Sequence, residues 1–229
     1  MQTKKKTIAV IVAHPDDEAF GPSGTIAKFA KEGHDVYILC ATKGEEGQNH
    51  SHGEALREIH DIREEELRCS AKILGVKEVI FLGFRDGSLS NNLYHQLAKE
   101  ITEVLKRIKA EMIITLEHRG VSGHIDHVAV SMVSSYVFEH LDSIKTIYYY
   151  CTTKKARGLQ SKYRPEGYFI YFPPGYDPEN VDKIIDITDV WDIKTRAMNC
   201  HKSQLKDVRV VQGIHSEIPK REHFFVREK

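Results

Sequence analysis

The stretch Thr7-Ile8-Ala9-Val10-Ile11-Val12-Ala13-His14-Pro15-Asp16-Asp17-Glu18 decides the fold. Residues 7–12 form an uninterrupted apolar run rich in β-branched side chains, which suits a buried strand better than a helix. Lys4, Lys5 and Lys6 stand before it, a charge pattern that also opens secretory leaders. The His-Pro-Asp-Asp-Glu cluster that ends the run argues against that, because a cleavage region needs small neutral residues. The run is therefore the first strand, and the polar cluster marks its carboxyl end.

Working outward, helix and strand signals alternate. Residues 25–31 read as a helix with Pro22 and Ser23 at its start, and 36–41 as a second strand. A long helix is expected over 54–74, with Leu56, Ile59, Leu67 and Leu74 on one stripe and Gly75 as its stop. Strand signals follow at 78–82, 112–116 and 147–151. Between them lie an amphipathic helix carrying Leu93, Leu97, Ile101, Val104 and Ile108, and a helix after His124. This order predicts an α/β fold, a Rossmann-like three-layer sandwich whose mostly parallel sheet has helices on both faces. Residues 163–178, rich in Tyr, Pro and Gly, read as a loop with a short strand near 168–172. A strand is expected at 184–187, then a helix capped by Asp189 and running towards Ser203. The mixed segment 206–229 should pack as an irregular C-terminal elaboration. No repeat, low-complexity tract or linker divides the chain, so residues 1–229 are expected to form a single domain.

Composition narrows the function. Lys plus Arg total 33 and Asp plus Glu total 33, so no net field attracts phosphates and a basic nucleic-acid binder is excluded. No apolar run approaches the roughly 18 residues of a transmembrane helix. The four cysteines, Cys40, Cys69, Cys151 and Cys200, form no C-x-x-C pair. Their spacing predicts no disulfide framework and a reducing, cytoplasmic setting. Histidine, at 13 residues, is the unusual count.

Three polar clusters follow strands, where open α/β sheets place their sites. They are His14-Pro15-Asp16-Asp17-Glu18, Thr42-Lys43-Gly44-Glu45-Glu46-Gly47 and Gly123-His124-Ile125-Asp126-His127. His14 and Asp17 are three residues apart, as are His124 and His127. Together they offer two imidazoles and a carboxylate for a metal, with one Asp and one His left over. A catalytic zinc site uses about three such ligands and keeps a position open. The remaining groups suit amide hydrolysis, which needs a base for the attacking water and an acid or electrophile at the carbonyl and leaving amine.

His14-Pro15-Asp16-Asp17-Glu18 with His124-x-x-His127 resembles the LmbE-like (PIG-L) zinc deacetylase family. Supporting segments are Thr42-Lys43-Gly44-Glu45-Glu46-Gly47, residues 63–75, Asp86-Gly87, and residues 194–204 with Lys194, Ala197, His201, Ser203 and Gln204. The resemblance implies His14, Asp17 and His127 as zinc ligands and Asp16 as general base. It implies His124 at the oxyanion or the leaving amine, with Asp126 orienting it. Iron(II) suits the same two-His, one-carboxylate set. The implied partner is a small amino-sugar conjugate, with a homo-oligomer compatible with the sequence.

Arg63 lies on the apolar stripe of its helix, so it either packs its stem with its head in solvent or turns its guanidinium to the pocket. Asp86 is either a turn residue or a sugar contact, and Glu45 holds substrate or a loop. The resemblance favours the substrate-binding reading for Arg63 and Asp86. His201 shares a stripe with Val190, Ile193 and Ala197 and is expected to be a core histidine bonded to backbone. His50, His52, His118 and His215 are expected in loops, mostly solvated. Tyr163, Tyr168, Tyr171, Phe172 and Tyr176 read as packed loop and strand residues.

Two positions depart from the family pattern. Ser122 stands where the mycothiol branch carries an oxyanion-stabilising tyrosine, and Ile125 replaces the usual proline. An amidase of the same mechanism acting on a larger acyl amide is the near alternative, and a non-catalytic Rossmann-like binding module the distant one. The module reading lacks a G-x-G-x-x-G or G-x-x-x-x-G-K-[ST] segment, and a serine hydrolase would need a G-x-S-x-G elbow.

Overall fold

A computed structural model describes residues 4–49, 57–90, 92–164 and 172–229. The first half of the chain alternates as expected: β1 (Thr7–Val12), α1 (Asp17–Phe20), α2 (Ser23–Lys31), β2 (Asp35–Cys40), α3 (Ile59–Leu74), β3 (Glu78–Phe81), α4 (Tyr94–Ile108) and β4 (Met112–Leu116). It continues with α5 (Ile125–His140), β5 (Thr146–Cys151), α6 (Lys154–Tyr163), β6 (Lys183–Asp186), α7 (Trp191–Met198), α8 (Leu205–Ser216) and β7 (Arg221–Glu228).

The strands lie in the order β3-β2-β1-β4-β5-β7-β6. β1 to β5 pair in parallel, whereas β7 runs antiparallel to both of its neighbours. The uninterrupted apolar run of β1 follows from burial on both faces. Ala9, Ile11 and Ala13 pack with Leu97, Ile101 and Leu105 of α4 and Val130, Val133 and Val137 of α5. Ile8, Val10 and Val12 pack with Ile26 of α2, Leu67, Ala71 and Leu74 of α3, and Ala197 of α7. Burying each such Leu or Ile side chain is worth about 1.5–3 kcal/mol. β1 lies between β2 and β4, so the chain leaves the sheet centre in both directions. The crevice beyond the carboxyl ends of β1 and β4 is the switch point where such sheets bind ligands.

Gly75 stops α3 as its position predicts. It adopts φ 77°, and its N–H and that of Val76 close the helix on Lys72 and Ala71 carbonyls. The expected helix start at residue 54 and Leu56 lie outside the described residues, and α3 begins at Ile59. The strand expected near 168–172 also falls mainly outside them. Asp189 does not cap a helix. It sits in a 3₁₀ turn, Thr188–Val190, and its carboxylate takes Lys28 Nζ at 2.8 Å, while α7 ends at Met198. The tail packs, as α8 and β7. The expectation of unpaired cysteines is corrected at one pair, since Cys69 on α3 and Cys200 after α7 are bonded, with Cα atoms 5.9 Å apart. They are 131 residues apart in sequence, and only the packing of α3 on α7 brings them together. Cys40 and Cys151 are free and buried.

Candidate active site

The loop after β1 builds the floor of the site. Asp17 folds back so that Oδ2 accepts the N–H groups of Ala13 at 3.1 Å and His14 at 2.9 Å. Its Oδ1 lies 3.1 Å from His127 Nε2, which in turn lies 3.0 Å from His14 Nδ1. His14 Nδ1 is 3.8 Å from Asp17 Oδ2. A different Asp17 oxygen thus faces each ring, while His124 brings a ligand atom within 4.8 Å of those of His14 and His127, and Asp86 and Asp126 do the same beside His14.

The far side of each ring says which nitrogen carries the proton. His14 Nε2 is 2.9 Å from Asp86 Oδ1 and 3.4 Å from Asp126 Oδ2, both acceptors. His127 Nδ1 is 3.0 Å from the Gly120 carbonyl and 3.0 Å from Ser122 Oγ. Donation outward from those atoms leaves His14 Nδ1 and His127 Nε2 bare and facing each other. At 3.0 Å these two nitrogens need a positive charge between them, a shared proton or a metal ion. Burial pulls the His14 pKa down, but the carboxylates of Asp126, Asp86 and Asp17 outweigh it and raise it to about 10, so this acidic surround favours a positive charge at His14, whether a proton or a metal ion supplies it. Asp17 is opposed by burial, yet the neighbouring imidazoles hold it well below the usual carboxylate range. The donor set fits a divalent metal such as zinc.

Asp16 points into the same space. Its backbone is left-handed, at φ 108°, a conformation that costs a non-glycine residue about 1–3 kcal/mol and persists only where its surroundings enforce it. Glu18 Oε2 accepts the Asp16 N–H at 3.0 Å, and Arg63 donates to Asp16 Oδ2 at 3.0 Å. Burial raises the Asp16 pKa to about 6, against the pull of Arg63.

Arg63 is buried on the inner face of α3, and its guanidinium lies within the protein rather than in solvent. It also donates to Pro15 O at 2.6 Å and Gly44 O at 3.0 Å, tying the loops after β1 and β2 together. The glycines of the second cluster make this geometry fit, because a Cβ at Gly44 or Gly47 would lie 2.3 or 2.4 Å from Arg63 Nη1. Asp86 lines the cavity, but both its oxygens are engaged, one by His14 and the other by the Glu46 N–H at 3.2 Å. Glu45 is turned to the loop, where Oε2 accepts the Asp86 N–H at 3.1 Å.

His124 caps the N-terminus of α5, and its Nδ1 accepts the Asp126 N–H at 3.1 Å. That leaves Nε2 as the protonated nitrogen of a neutral ring. Burial, aided by His14 and His127, lowers its pKa. The Asp126 carboxylate points elsewhere, accepting Gly87 N–H at 2.8 Å and Leu89 N–H at 3.1 Å beside His14. The hydrogen bond from Asp126 to His124 therefore comes from the Asp126 backbone, while the Asp126 carboxylate acts on the His124 ring through charge at longer range.

Behind this centre lies a buried network that the sequence does not announce. Glu18 Oε1 accepts Ser70 Oγ at 2.6 Å and faces His201 Nε2 at 2.9 Å. His201 is a core histidine, as expected, but its partner is this carboxylate rather than backbone. Ser203 donates its N–H and its hydroxyl to Glu66, each at 2.7 Å. Lys194 Nζ reaches Gly21 O at 2.6 Å and Glu222 at 2.8 Å. Lys194 and His201 therefore anchor the turn and short helix that follow the β1 loop, and Ser203 anchors α3. A buried carboxylate needs donors, so the Glu of His-Pro-Asp-Asp-Glu was the available signal.

A cavity of 370 Å³ opens over the site. His14, Asp16, Asp17, His124 and His127 form its polar end, and Phe20, Val210, Val211 and Ile214 an apolar wall. Phe172 lines it too. His215 departs from expectation. It lies on α8, lines the cavity and packs on Trp191 with ring centroids 5.3 Å apart, and burial takes its pKa down to about 3. The His118 ring packs on Tyr149 at 4.6 Å, while His50 and His52 lie outside the described residues.

A two-His, one-carboxylate centre at the switch point of an open α/β sheet is a metalloenzyme-type site. The GlcNAc-PI de-N-acetylase (PIG-L) family model matches residues 9–137, more than half of the chain, and the chain belongs to that family. It is similar to the diacetylchitobiose deacetylase of Thermococcus kodakarensis, 31% identical over 215 residues, covering 88% of this chain and 71% of that protein. It is also similar to the 1D-myo-inositol 2-acetamido-2-deoxy-alpha-D-glucopyranoside deacetylase of Rhodococcus jostii, 26% identical over 240 residues, covering 88% of this chain and 82% of the relative. The solved N,N'-diacetylchitobiose deacetylase of Pyrococcus horikoshii shares the fold, with a TM-score of 0.71 at 24% identity over 98% of this chain and 85% of that one. Among the described residues no helix is long and apolar enough to cross a membrane.

Proposed function

We propose that this chain is a zinc-dependent hydrolase that removes the acetyl group from an N-acetylglucosamine-type conjugate. The observation that carries the reading is the meeting of His14 Nδ1 and His127 Nε2 at 3.0 Å beside the Asp17 carboxylate, whose Oδ1 lies 3.1 Å from His127 and whose Oδ2 lies 3.8 Å from His14. The names of the Rhodococcus and Thermococcus relatives support deacetylation of an N-acetylated amino sugar. His14, Asp17 and His127 would hold the ion. Bound zinc supplies Lewis-acid polarisation of the acyl carbonyl and acidifies water.

The remaining steps belong to the protein's own groups. Asp16 takes the proton of the attacking water on its carboxylate, with Arg63 fixing Oδ2 so that Oδ1 is free for that role. Water adds its hydroxyl to the carbonyl carbon, the carbon–nitrogen bond breaks, and the proton held by Asp16 passes to the leaving amine, which restores the carboxylate. His124, neutral and protonated at Nε2, donates a hydrogen bond to the developing oxyanion or the departing nitrogen. Ser122 is occupied by His127 and the His124 N–H, so the oxyanion contact falls to His124 in this chain. Asp126 and Asp86 keep the His14 ring in its ligand tautomer.

The test is acetate release from a panel of N-acetylglucosamine, diacetylchitobiose, and inositol- and malate-linked conjugates. Zinc-reloaded wild type runs beside Asp16→Asn. Turnover in the wild type alone supports the reading, and turnover in both removes Asp16 from the mechanism.

A further inference from the structure

Among the described residues four arginines line the cavity: Arg63, Arg157, Arg164 and Arg221. Three of them face carboxylates. Arg63 pairs with Asp16 at 3.0 Å, Arg164 with Asp207, and Arg221 Nε lies 3.8 Å from Asp186. Arg157, on α6, meets no carboxylate among the described residues. It donates to the Val121 carbonyl and to Gln160 Oε1, and its guanidinium lies 5.0 Å from the centre of the Phe172 ring. Its Nε is buried with no partner.

A guanidinium stays ionised, so a half-buried one without a counter-charge loses hydration that neutral carbonyls replace only in part. Burial accordingly pulls Arg157 below the ordinary guanidinium value, against the weaker influence of Tyr150 and Glu117. Carboxylate and phosphate oxygens form charge-assisted bonds to such a group that are about twice as strong as neutral ones. The position suits a substrate contact. Arg157 bonds Val121, next to Ser122, whose hydroxyl supports the ligand ring of His127. Phe20, Val210, Val211 and Ile214 line the same cavity and offer an apolar surface to the rest of the ligand.

We propose that Arg157 receives an anionic oxygen group on the aglycone, so that the preferred substrates are amino-sugar conjugates carrying a carboxylate or phosphate beyond the sugar ring. This rests on the amino-sugar deacetylase reading above, and the test keeps the two separable. Binding is measured by calorimetry on zinc-loaded Asp16→Asn protein, where turnover does not interfere. The ligands are N-acetylglucosaminyl malate against its dimethyl ester, and N-acetylglucosamine 1-phosphate against the methyl glycoside. The expected result is binding of an anion about 10- to 100-fold tighter than its neutral counterpart, the range of a hydrogen bond to a charged group. Whichever pair shows the larger ratio distinguishes carboxylate from phosphate. Adding Arg157→Gln should bring that ratio towards one, while Arg157→Lys should restore part of it. A residue that merely braces Val121 would weaken all four ligands together and leave the ratio intact, which overturns the proposal. So does equal binding of charged and neutral ligands, or binding of none. Preferential anion binding without acetate release from the wild type would keep Arg157 in this role and remove the deacetylase reading. Acetate release with no anion preference would do the reverse.

Discussion

The floor of the cavity under β1 and β4 and the wall formed by α6 and α8 differ in how their polar groups are matched. On the floor, His14, Asp16, Asp17 and His127 each have at least two named partners, and a second layer of Glu18, Arg63, Asp86 and Asp126 holds them. On the wall, apolar side chains of α8 stand beside a guanidinium with no carboxylate partner among the described residues and a neutral, half-buried His215. Reaction chemistry demands atoms fixed to within a fraction of an ångström, whereas substrate choice needs surface that is completed when the ligand arrives. The first region is bound mainly through ion pairs and charged hydrogen bonds, the second mainly through apolar contact, and each keeps buried ring or guanidinium nitrogens without a partner among the described residues: Arg63 Nε and His201 Nδ1 in the first, Arg157 Nε and His215 Nδ1 in the second.

That contrast can be broken at four points. The largest effect is expected from Asp17→Ala or His127→Ala, which should abolish stoichiometric metal binding and reduce acetate release by several powers of ten, read by elemental analysis and an acetate assay. Asp16→Asn comes next. It should retain the metal and lose about 10²- to 10⁴-fold in turnover, the usual contribution of a general base.

His201→Phe is expected to be milder. It removes a donor to Glu18, which holds the strained Asp16 backbone, so kcat should fall about 10-fold, with KM and zinc content retained. A loss of zinc in this variant would show that the network serves the ligands rather than the base. The smallest effect concerns the wall and pH. Burial depresses the His215 pKa from 6.5 to about 3, so the unfolded chain takes up the proton first. Its contribution to stability is therefore complete above pH 6.5 and is lost progressively as pH falls towards 3. The urea midpoint of zinc-loaded wild type should drop more between pH 7 and pH 5 than that of His215→Leu. Equal drops would mean that the ring titrates as if exposed.

The floor was legible in the sequence and the wall was not, for a physical reason. Short-range patterns report local geometry: the β-branched run gave β1, and three-residue spacings put His14 near Asp17 within one loop. Arg63 was legible as a charge inside an apolar stripe, whereas the room that Gly44 and Gly47 leave for its guanidinium shows only in the folded chain. The strand order then brings the loops after β1 and β4 together by a general rule of open sheets. Pairings that depend on long-range packing leave no local trace. Cys69 with Cys200, Glu18 with His201, and the Asp86 and Asp126 carboxylates on His14 are of this kind. The segment after residue 200 mixes charge with apolar residues, and only its docking as α8 against α6 turns His215 inward.

The most direct test of the account is zinc stoichiometry measured together with acetate release. Chelated and zinc-reloaded wild type, Asp16→Asn and Asp17→Ala would be compared on the N-acetylglucosamine panel. One zinc per chain is expected in the wild type and in Asp16→Asn, none in Asp17→Ala, and acetate from the reloaded wild type alone. Undiminished turnover by chelated protein, or full zinc occupancy in Asp17→Ala, would contradict it.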